Sequence, residues 1–411
     1  MSQKIGDKLR YALAAIGPGL FLIGYNIGTG SVTTMATSGA KYGMALFWAL
    51  LLSCLFTFVL MVAYGQVTLV TGRTALFTIK TKWKYGRVLA IYIMIALILG
   101  ELLALMGVTG IVADLLQEGM RLAGGFAFSR FWIIFVLVIC LYVLLWFGHY
   151  QRFEKILTFF VILMGLCFIV VFFMVKPSFA ALLQGLVPRV PDEPGAFALV
   201  AAMAGTTCSA AVFIIRSTVV AEKGWTIKDL AAEKKDALVS ATSMLFLSGI
   251  IMAVSAGTLY VMGLELTNTI EMIHLFEPIG GKIAAFLLIS GIAAAGLSTI
   301  FPIILIAPWL ISDYTGKPRK IRSPLYRILG CMGLLFCFGL EVLPQRPPAM
   351  MIFSQAFQAC ILPAVAIPIF FLINDKSLMR EHKATWAMNG GLAAVVLFSL
   401  LTTYFALLEL F

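Results

Sequence analysis

Charged residues are scarce in this 411-residue sequence. Asp, Glu, Lys and Arg make up 12% of the chain and hydrophobic residues 61%, whereas about a quarter of an ordinary soluble domain is charged. This composition excludes a water-soluble globular protein, because too few charged side chains are present for a solvated surface. We therefore expect one membrane-embedded domain that spans residues 1–411.

Motifs of common enzymes and metal cofactors are also missing. No Gly-Lys-Ser/Thr phosphate loop follows Gly28 or Gly30, and the patterns HExxH and GxSxG do not occur. The seven cysteines do not form the paired CxxC spacing of a structural metal site. We expect neither an enzyme nor a bound cofactor.

What the sequence contains instead is a series of long apolar segments. Each is long enough to cross about 30 Å of hydrocarbon as a helix. The eleven segments are 11–40, 43–72, 88–117, 131–149, 153–175, 196–221, 237–262, 280–312, 325–343, 348–374 and 385–408. They predict an all-α membrane protein with eleven transmembrane helices.

The distribution of basic residues among the loops indicates how the protein is oriented in the membrane. The net charge is +11, but most Lys and Arg residues fall in alternate loops, as the positive-inside rule requires of cytoplasmic loops. We therefore expect a multi-pass protein of the cell (inner) membrane, with the N-terminus in the cytoplasm and Phe411 outside. The expected partners are the lipid bilayer and a small ion or molecule, not nucleic acid, and a monomer is sufficient.

Two segments are interrupted by small polar residues. They are the first and sixth, at residues 24–31 and 204–210, and each begins one of two possible inverted five-helix repeats, 11–175 and 196–374, with 385–408 as an extra helix. Paired interruptions of this kind indicate a substrate site at the bilayer midplane, where unwound backbone exposes peptide groups. The alternative is that the small residues only permit close helix packing.

Several ordered motifs resemble the Nramp family of proton-coupled divalent metal transporters. They include GPGLFLIGYN, SGAKYGMALFW, LLQGLVPRVP, LFEPIGG, IAAAGLST and, in the tenth segment, IFSQAFQACILPAVAIPIFFLINDKSLM. The resemblance spans nearly the whole chain. It implies the fold named after the bacterial leucine transporter (LeuT), with broken first and sixth helices.

The metal-site motifs depart from that family. The resemblance implies Asp-Pro-Gly-Asn in the first break, where this chain has Gly28, Thr29, Gly30 and Ser31. It implies Met-Pro-His in the second break, here Ser209-Ala210-Ala211, and a glutamine in segment ten, here Gln355. The candidate ligands are then Gly28, Ser31, Thr206, Ser209 and Gln355. This set has no formal charge, so we expect a weakly bound, partly hydrated ion.

Three functions remain open. The leading one is a secondary active transporter for a divalent metal cation with altered selectivity, linked to protons as in the family. The second is transport of a small anion or zwitterion such as an amino acid, bound at the break of residues 28–31, because a half-helix start favours a carboxylate. The third is a membrane sensor that retains the scaffold without transport.

Three charged residues are candidates for proton coupling or gating. Glu101 lies in the middle of segment three, where a carboxylate is costly and therefore suggests function, although a protonated glutamate bonded to a neighbouring helix is the alternative. Arg216 could repel cations or pair with a carboxylate, but we expect its side chain to reach the membrane interface. Glu154 we expect to pair with Arg152 or Lys155 rather than to gate.

Overall fold

The computed structural model describes residues 28–125, 128–147, 150–317, 319 and 322–410. In this part of the chain, ten helices are long and apolar enough to cross a membrane. They correspond to ten of the eleven predicted segments. The first segment, 11–40, is described only from Gly28 onward, so its earlier residues lie outside the described part.

The helices of the first half are separated by short loops. They are α1 (Thr29–Tyr42), α2 (Phe47–Thr71), α3 (Ala75–Lys82), α4 (Gly86–Gly124), α5 (Arg130–Phe147), α6 (Tyr150–Val175) and α7 (Phe179–Gln184). The short helices α3 and α7 lie between predicted segments and are too short to cross a bilayer.

The second half repeats the alternation of long and short helices. Its α-helices are α8 (Ala196–Thr207), α9 (Ala210–Glu222), α10 (Leu230–Gly257), α11 (Leu259–Met262), α12 (Gly281–Thr315), α13 (Pro324–Leu335), α14 (Gly339–Val342), α15 (Pro347–Asn374), α16 (Lys376–Met379) and α17 (Trp386–Leu410). Short 3₁₀ helices connect them at Ile227–Asp229, Thr269–Ile279 and Phe336–Phe338. The division of the chain into repeats at 11–175 and 196–374 stays a prediction.

The broken sixth segment lies at the centre of the bundle. In the stretch Ala196–Glu222, 94% of the most apolar 18 residues are buried inside the protein, against 22% in α5. The helices α8 and α9 pack on α2 and α15, while α4 packs on α12 and α15 and α10 packs on α1 and α2. The outer helices therefore shield a central group from lipid.

Helix α10 begins earlier than the apolar segment 237–262 predicts. It starts at Leu230 and includes the buried carboxylates of Glu233 and Asp236. Apolar composition alone misses this turn because its charged residues indicate a loop. They lie instead inside the protein, where they have a partner described below.

Glycine permits close contact between central helices. A methyl group at Gly205 of α8 would collide with the carbonyl oxygen of Gln355 on α15. The two backbones can therefore approach each other only because this position has no side chain. This contact fixes the sixth segment against the helix that carries Gln355.

Candidate functional site

The sixth segment is interrupted at Cys208 and Ser209, as predicted. Helix α8 ends at Thr207 and α9 begins at Ala210. The two intervening residues leave helical geometry, with φ −108° and ψ 46° at Cys208 and φ −65° and ψ 128° at Ser209. The hydroxyl of Thr57 on α2 donates to the Thr207 carbonyl oxygen at 2.8 Å. A neighbouring helix thus satisfies a peptide group that the break frees.

The first segment has a helix start at the predicted break. Gly28 is the residue before the helix, with extended backbone at φ −85° and ψ −174°, and Thr29 begins α1. Thr29, Gly30 and Ser31 therefore form the first helical turn of α1, and Gly28 is the residue of the predicted break that has extended backbone. The Gly28 carbonyl, predicted as a ligand, accepts the Val32 N–H at 3.2 Å because the helix continues its own hydrogen bonding.

The start of α1 at Gly28 and the start of α9 after Ser209 both border one small cavity. This cavity lies between α1, α4, α8, α12 and α15. Its volume is about 30 Å³, which is room for roughly two water molecules. Its walls are formed by Gly28, Gly30, Ser31, Glu101, Ala104, Thr206, Ser209, Thr299, Ile303, Met351, Gln355 and Gln358. The structure thus brings together most of the residues predicted as a site, although their role in binding stays a prediction.

Thr29 differs from its neighbours because it does not line this cavity. Its side chain is fully buried beside α12, where a Cβ at Gly296 would lie 3.0 Å from Thr29 Oγ1. Although its neighbours Gly28, Gly30 and Ser31 form part of the cavity wall, the Thr29 side chain lies against α12 instead. The structure therefore gives it no contact with the cavity.

Hydrogen bonds connect side chains of different helices in the cavity wall. Ser31 Oγ lies 3.0 Å from Thr206 Oγ1, which links α1 to α8. The Ser209 hydroxyl donates to Gln358 Oε1 at 2.8 Å, and Gln358 Nε2 donates to Glu101 Oε1 at 3.2 Å. The break in the sixth segment is therefore connected through α15 to a carboxylate on α4.

Glu101 changes the electrostatics expected of the site. Its side chain is 3% exposed and lies on the cavity wall, so the expectation of a pocket without an acidic side chain is wrong. The sequence identifies Glu101 as a buried acid but does not show which way it faces. Among the described residues that line this wall, Glu101 is the one titratable side chain. The described part of the chain has no group of three or more His, Cys, Asp and Glu side chains that could hold a metal.

Sequence reasoning also missed several wall residues. Met351 and Gln358 lie four residues before and three residues after Gln355 on α15, so all three share one helix face. The pair Thr299 and Ile303 on α12 has the same spacing of four. Once Gln355 is chosen as a candidate, this periodicity is the signal that could have found its neighbours.

Gly30 explains how Gln355 comes close to α1. A Cβ at Gly30 would lie 2.6 Å from Met351 Cε and 3.0 Å from Gln355 Nε2. Any larger residue would therefore push these side chains away from the helix start. The glycine is needed for the close approach and is not only a helix-packing residue.

Comparison with known proteins identifies the family. The sequence model of the natural resistance-associated macrophage protein-like family matches residues 19–409. The chain belongs to the Nramp family. The divalent metal cation transporters MntH of Ralstonia nicotianae and Staphylococcus saprophyticus are each 24% identical to it, over 407 and 419 residues. These alignments cover 94% and 95% of this Nramp chain and 87% and 90% of the two relatives.

Solved structures share the fold. A mutant of the Eremococcus coleocola manganese transporter superposes with a TM-score of 0.72 at 16% identity, covering 98% of this chain and 87% of that one. The transporter MhsT in complex with L-phenylalanine gives a TM-score of 0.61 at 14% identity, covering 96% and 98%. These likenesses confirm the predicted LeuT-like, all-α transporter fold.

The side chains that this Nramp chain lacks at the predicted ligand positions have chemical counterparts on other helices. The missing aspartate of the first break has a carboxylate counterpart in Glu101 on α4. The missing methionine of the second break has a thioether counterpart in Met351 on α15. The wall therefore contains both ligand types, although at positions different from those that the family resemblance implies.

Arg216 does not reach the membrane interface, so that expectation is wrong. Its side chain is fully buried. It forms a bidentate salt bridge with Glu233, in which Nε donates to Oε1 at 3.0 Å and Nη2 donates to Oε2 at 2.8 Å. Nη2 also lies 2.7 Å from Asp236 Oδ2. A methyl group at Gly65 of α2 would collide with the Glu233 carboxylate. The Glu233 carboxylate therefore occupies space that is free only because residue 65 is a glycine. The ionic cluster joins α9 to α10.

The other predicted gating residue, Glu154, lies near the start of α6, which begins at Tyr150. Its side chain is outside the described part of the structure, so its expected pairing with Arg152 or Lys155 stays a prediction.

Arg216→Met should destabilise the protein strongly. Removing one partner of a buried ion pair leaves uncompensated charge, at a cost of about 3–5 kcal/mol. We expect a clearly lower unfolding temperature in detergent, measured by intrinsic fluorescence. The control Arg121→Met removes an arginine whose side chain is 70% exposed and 3.9 Å from Glu118, and should change little. Equal unfolding temperatures for both variants would contradict the proposed importance of the buried cluster.

Proposed function

We propose that this protein is a secondary active transporter of a divalent metal cation, which binds in the cavity between the two helix starts. The observation that carries the proposal is the composition of the cavity wall. It joins the Glu101 carboxylate to the polar side chains of Ser31, Thr206, Ser209 and Gln355 in a space of ion size.

The wall suits a hard cation. Carboxylate, hydroxyl and amide oxygens are the ligands that magnesium, calcium and manganese prefer. A cation that leaves water also needs negative charge to offset the cost of desolvation, and Glu101 supplies it. One carboxylate neutralises only half of a divalent charge, which supports binding of an ion that retains some water.

The size of the cavity argues against the second function. A volume of about 30 Å³ accommodates roughly two water molecules and is too small for an amino acid. The buried Glu101 carboxylate would also repel an anionic substrate. We therefore place the metal cation first and treat the anion or zwitterion as an outcome of the test.

The printed names of similar proteins support the same choice. The MntH relatives are divalent metal cation transporters, and the Eremococcus coleocola protein is a manganese transporter. Their names describe those proteins and not this chain. Because the ligand positions here are altered, we propose a selectivity different from theirs.

We further propose that transport is linked to protons and that Glu101 takes part. Its position in the middle of the long helix α4 agrees with a functional acid inside the membrane. We propose an inner-membrane protein with a cytoplasmic N-terminus and an external C-terminus, because the basic residues favour it. A monomer without nucleic acid partners is the simplest form.

Uptake into proteoliposomes tests the function directly. We expect the purified protein to carry manganese or magnesium, measured with a trapped metal-sensitive dye, and to respond to an imposed pH gradient. Labelled amino and carboxylic acids should not enter above the level of empty liposomes. Uptake of an acid without uptake of any divalent ion would support the second function and overturn the first.

Ser31→Asp should tighten divalent binding. The substitution places a second carboxylate on the wall. Because Glu101 alone neutralises only half of a divalent charge, the added carboxylate should attract the cation further. We expect the Kd to fall about tenfold, which equals about 1.4 kcal/mol. Calorimetric titration of manganese in detergent measures the change. Ser31→Asn, which places a side chain of similar size but without charge at the same position, is the control. An unchanged Kd in Ser31→Asp would argue for a different substrate.

Glu101→Gln should weaken transport and remove its dependence on pH. The variant keeps the shape of the side chain but removes its charge and its ability to carry a proton. The pH profile of manganese uptake is the measurement. Glu118→Gln, an acid on the same helix outside the cavity, should leave the profile unchanged. A profile for Glu101→Gln that still matches the wild type would exclude Glu101 as the proton carrier.

A further inference from the structure

Three nearly fully buried side chains from different parts of the fold form a continuous chain at the cavity wall. Glu101 on α4 is 3% exposed, Gln358 on α15 is 3% exposed and Ser209 at the break is 4% exposed. Gln358 joins the other two through the hydrogen bonds of 3.2 and 2.8 Å described above. Gln358 itself is uncharged, and it lies within the segment-ten motif of the family resemblance without being one of the ligand positions that the resemblance implies.

The space for Gln358 is provided by a glycine beside Glu101. A Cβ at Gly100 would lie 3.2 Å from Gln358 Cγ, closer than an ordinary contact. Gly100 and Glu101 are therefore adjacent residues of α4 that accommodate and bond the same side chain. Helix α4 therefore contacts Gln358 at two points, at Cγ beside Gly100 and at Nε2 beside Glu101.

The direction of the hydrogen bonds follows from the chemistry of the groups. When Glu101 is ionised, its carboxylate can only accept, so the amide nitrogen of Gln358 faces Glu101, as in the 3.2 Å hydrogen bond. The amide oxygen then faces Ser209, and the Ser209 hydroxyl must donate its single hydrogen to it. The remaining lone pairs of Ser209 Oγ are left for the cavity, whose wall Ser209 forms.

We infer that Gln358 is a specificity-determining positioning residue, which uses Glu101 to orient the Ser209 hydroxyl so that its lone pairs face the transported cation. This inference rests on the proposed function. An oriented hydroxyl acts as a cation ligand without first losing rotational freedom, which improves binding through pre-organisation. A freely rotating hydroxyl could instead donate its hydrogen to an anion, so Gln358 also selects against that class of ligand.

A double-mutant cycle tests the inference, because it measures whether two residues act through each other. The variants are Gln358→Met, Ser209→Ala and their combination in the full-length protein. Manganese is the probe, with the Kd measured by calorimetry in detergent and the KM and maximal rate of uptake measured in proteoliposomes.

Gln358→Met should raise the Kd and the KM about tenfold, with less than a twofold change in maximal rate. In the Ser209→Ala background the same substitution should raise the Kd less than threefold, because the hydroxyl that Gln358 orients is gone. A tenfold rise in both backgrounds, or no rise in either, would overturn the inference. If Gln358→Met does not yield folded protein, Gln358→Leu takes its place in the cycle.

Two controls separate this result from other failures. Gln66→Met removes a buried glutamine of α2 whose Nε2 donates to the His382 carbonyl oxygen at 2.8 Å, away from the cavity, and should not change the KM. Wild-type protein that neither binds nor transports manganese, magnesium or calcium would overturn the proposed function together with the inference. Wild-type transport with an additive cycle would overturn the inference alone.

Discussion

A divalent cation cannot lose its water inside a membrane unless the protein returns comparable electrostatic stabilisation. This constraint accounts for the arrangement of the centre of the molecule. The break at Cys208 and Ser209 and the helix start at Gly28 place polar groups deep in the bundle, where an unbroken helix would use its peptide groups internally. Glu101 adds the formal charge that hydroxyls and amides do not have.

The same constraint makes close helix packing necessary, because side chains from five helices line one very small volume. Gly205 allows α8 to touch the backbone of α15, and Gly30 allows α1 to approach Gln355. Farther along α9, the ionic cluster of Arg216, Glu233 and Asp236 fixes that helix against α10. The half-helix that follows Ser209 is thus held at its start by hydrogen bonding to Gln358 and in its middle by the buried charge of Arg216.

Much of the fold follows from sequence because the bilayer leaves few alternatives. Twenty apolar residues must form a spanning helix, so segment length predicts the ten described spans. The start of α10 is missed because Glu233 and Asp236 indicate a loop until their partner is known. Arg216 is misplaced for the same reason, since pairing across helices depends on tertiary contacts that one sequence does not show.

The site is predicted only in part. Small polar residues at 28–31 and 204–210 indicate where peptide groups are exposed, and Gln355 follows from a family motif. The rotation of α4, which turns Glu101 toward the cavity, depends on how α4 packs against α12 and α15. Gln358 is missed because a buried glutamine has several structural explanations until its hydrogen-bond partners are identified.

Locating manganese in the protein is the most direct test of a cation site at the two helix starts. Crystals soaked with manganese should give one anomalous scattering peak in the cavity, within about 2.0–2.6 Å of oxygen atoms of Ser209 or Glu101 or of waters that they hold. A peak outside this cavity, or an empty cavity in protein shown to transport manganese, would contradict the account.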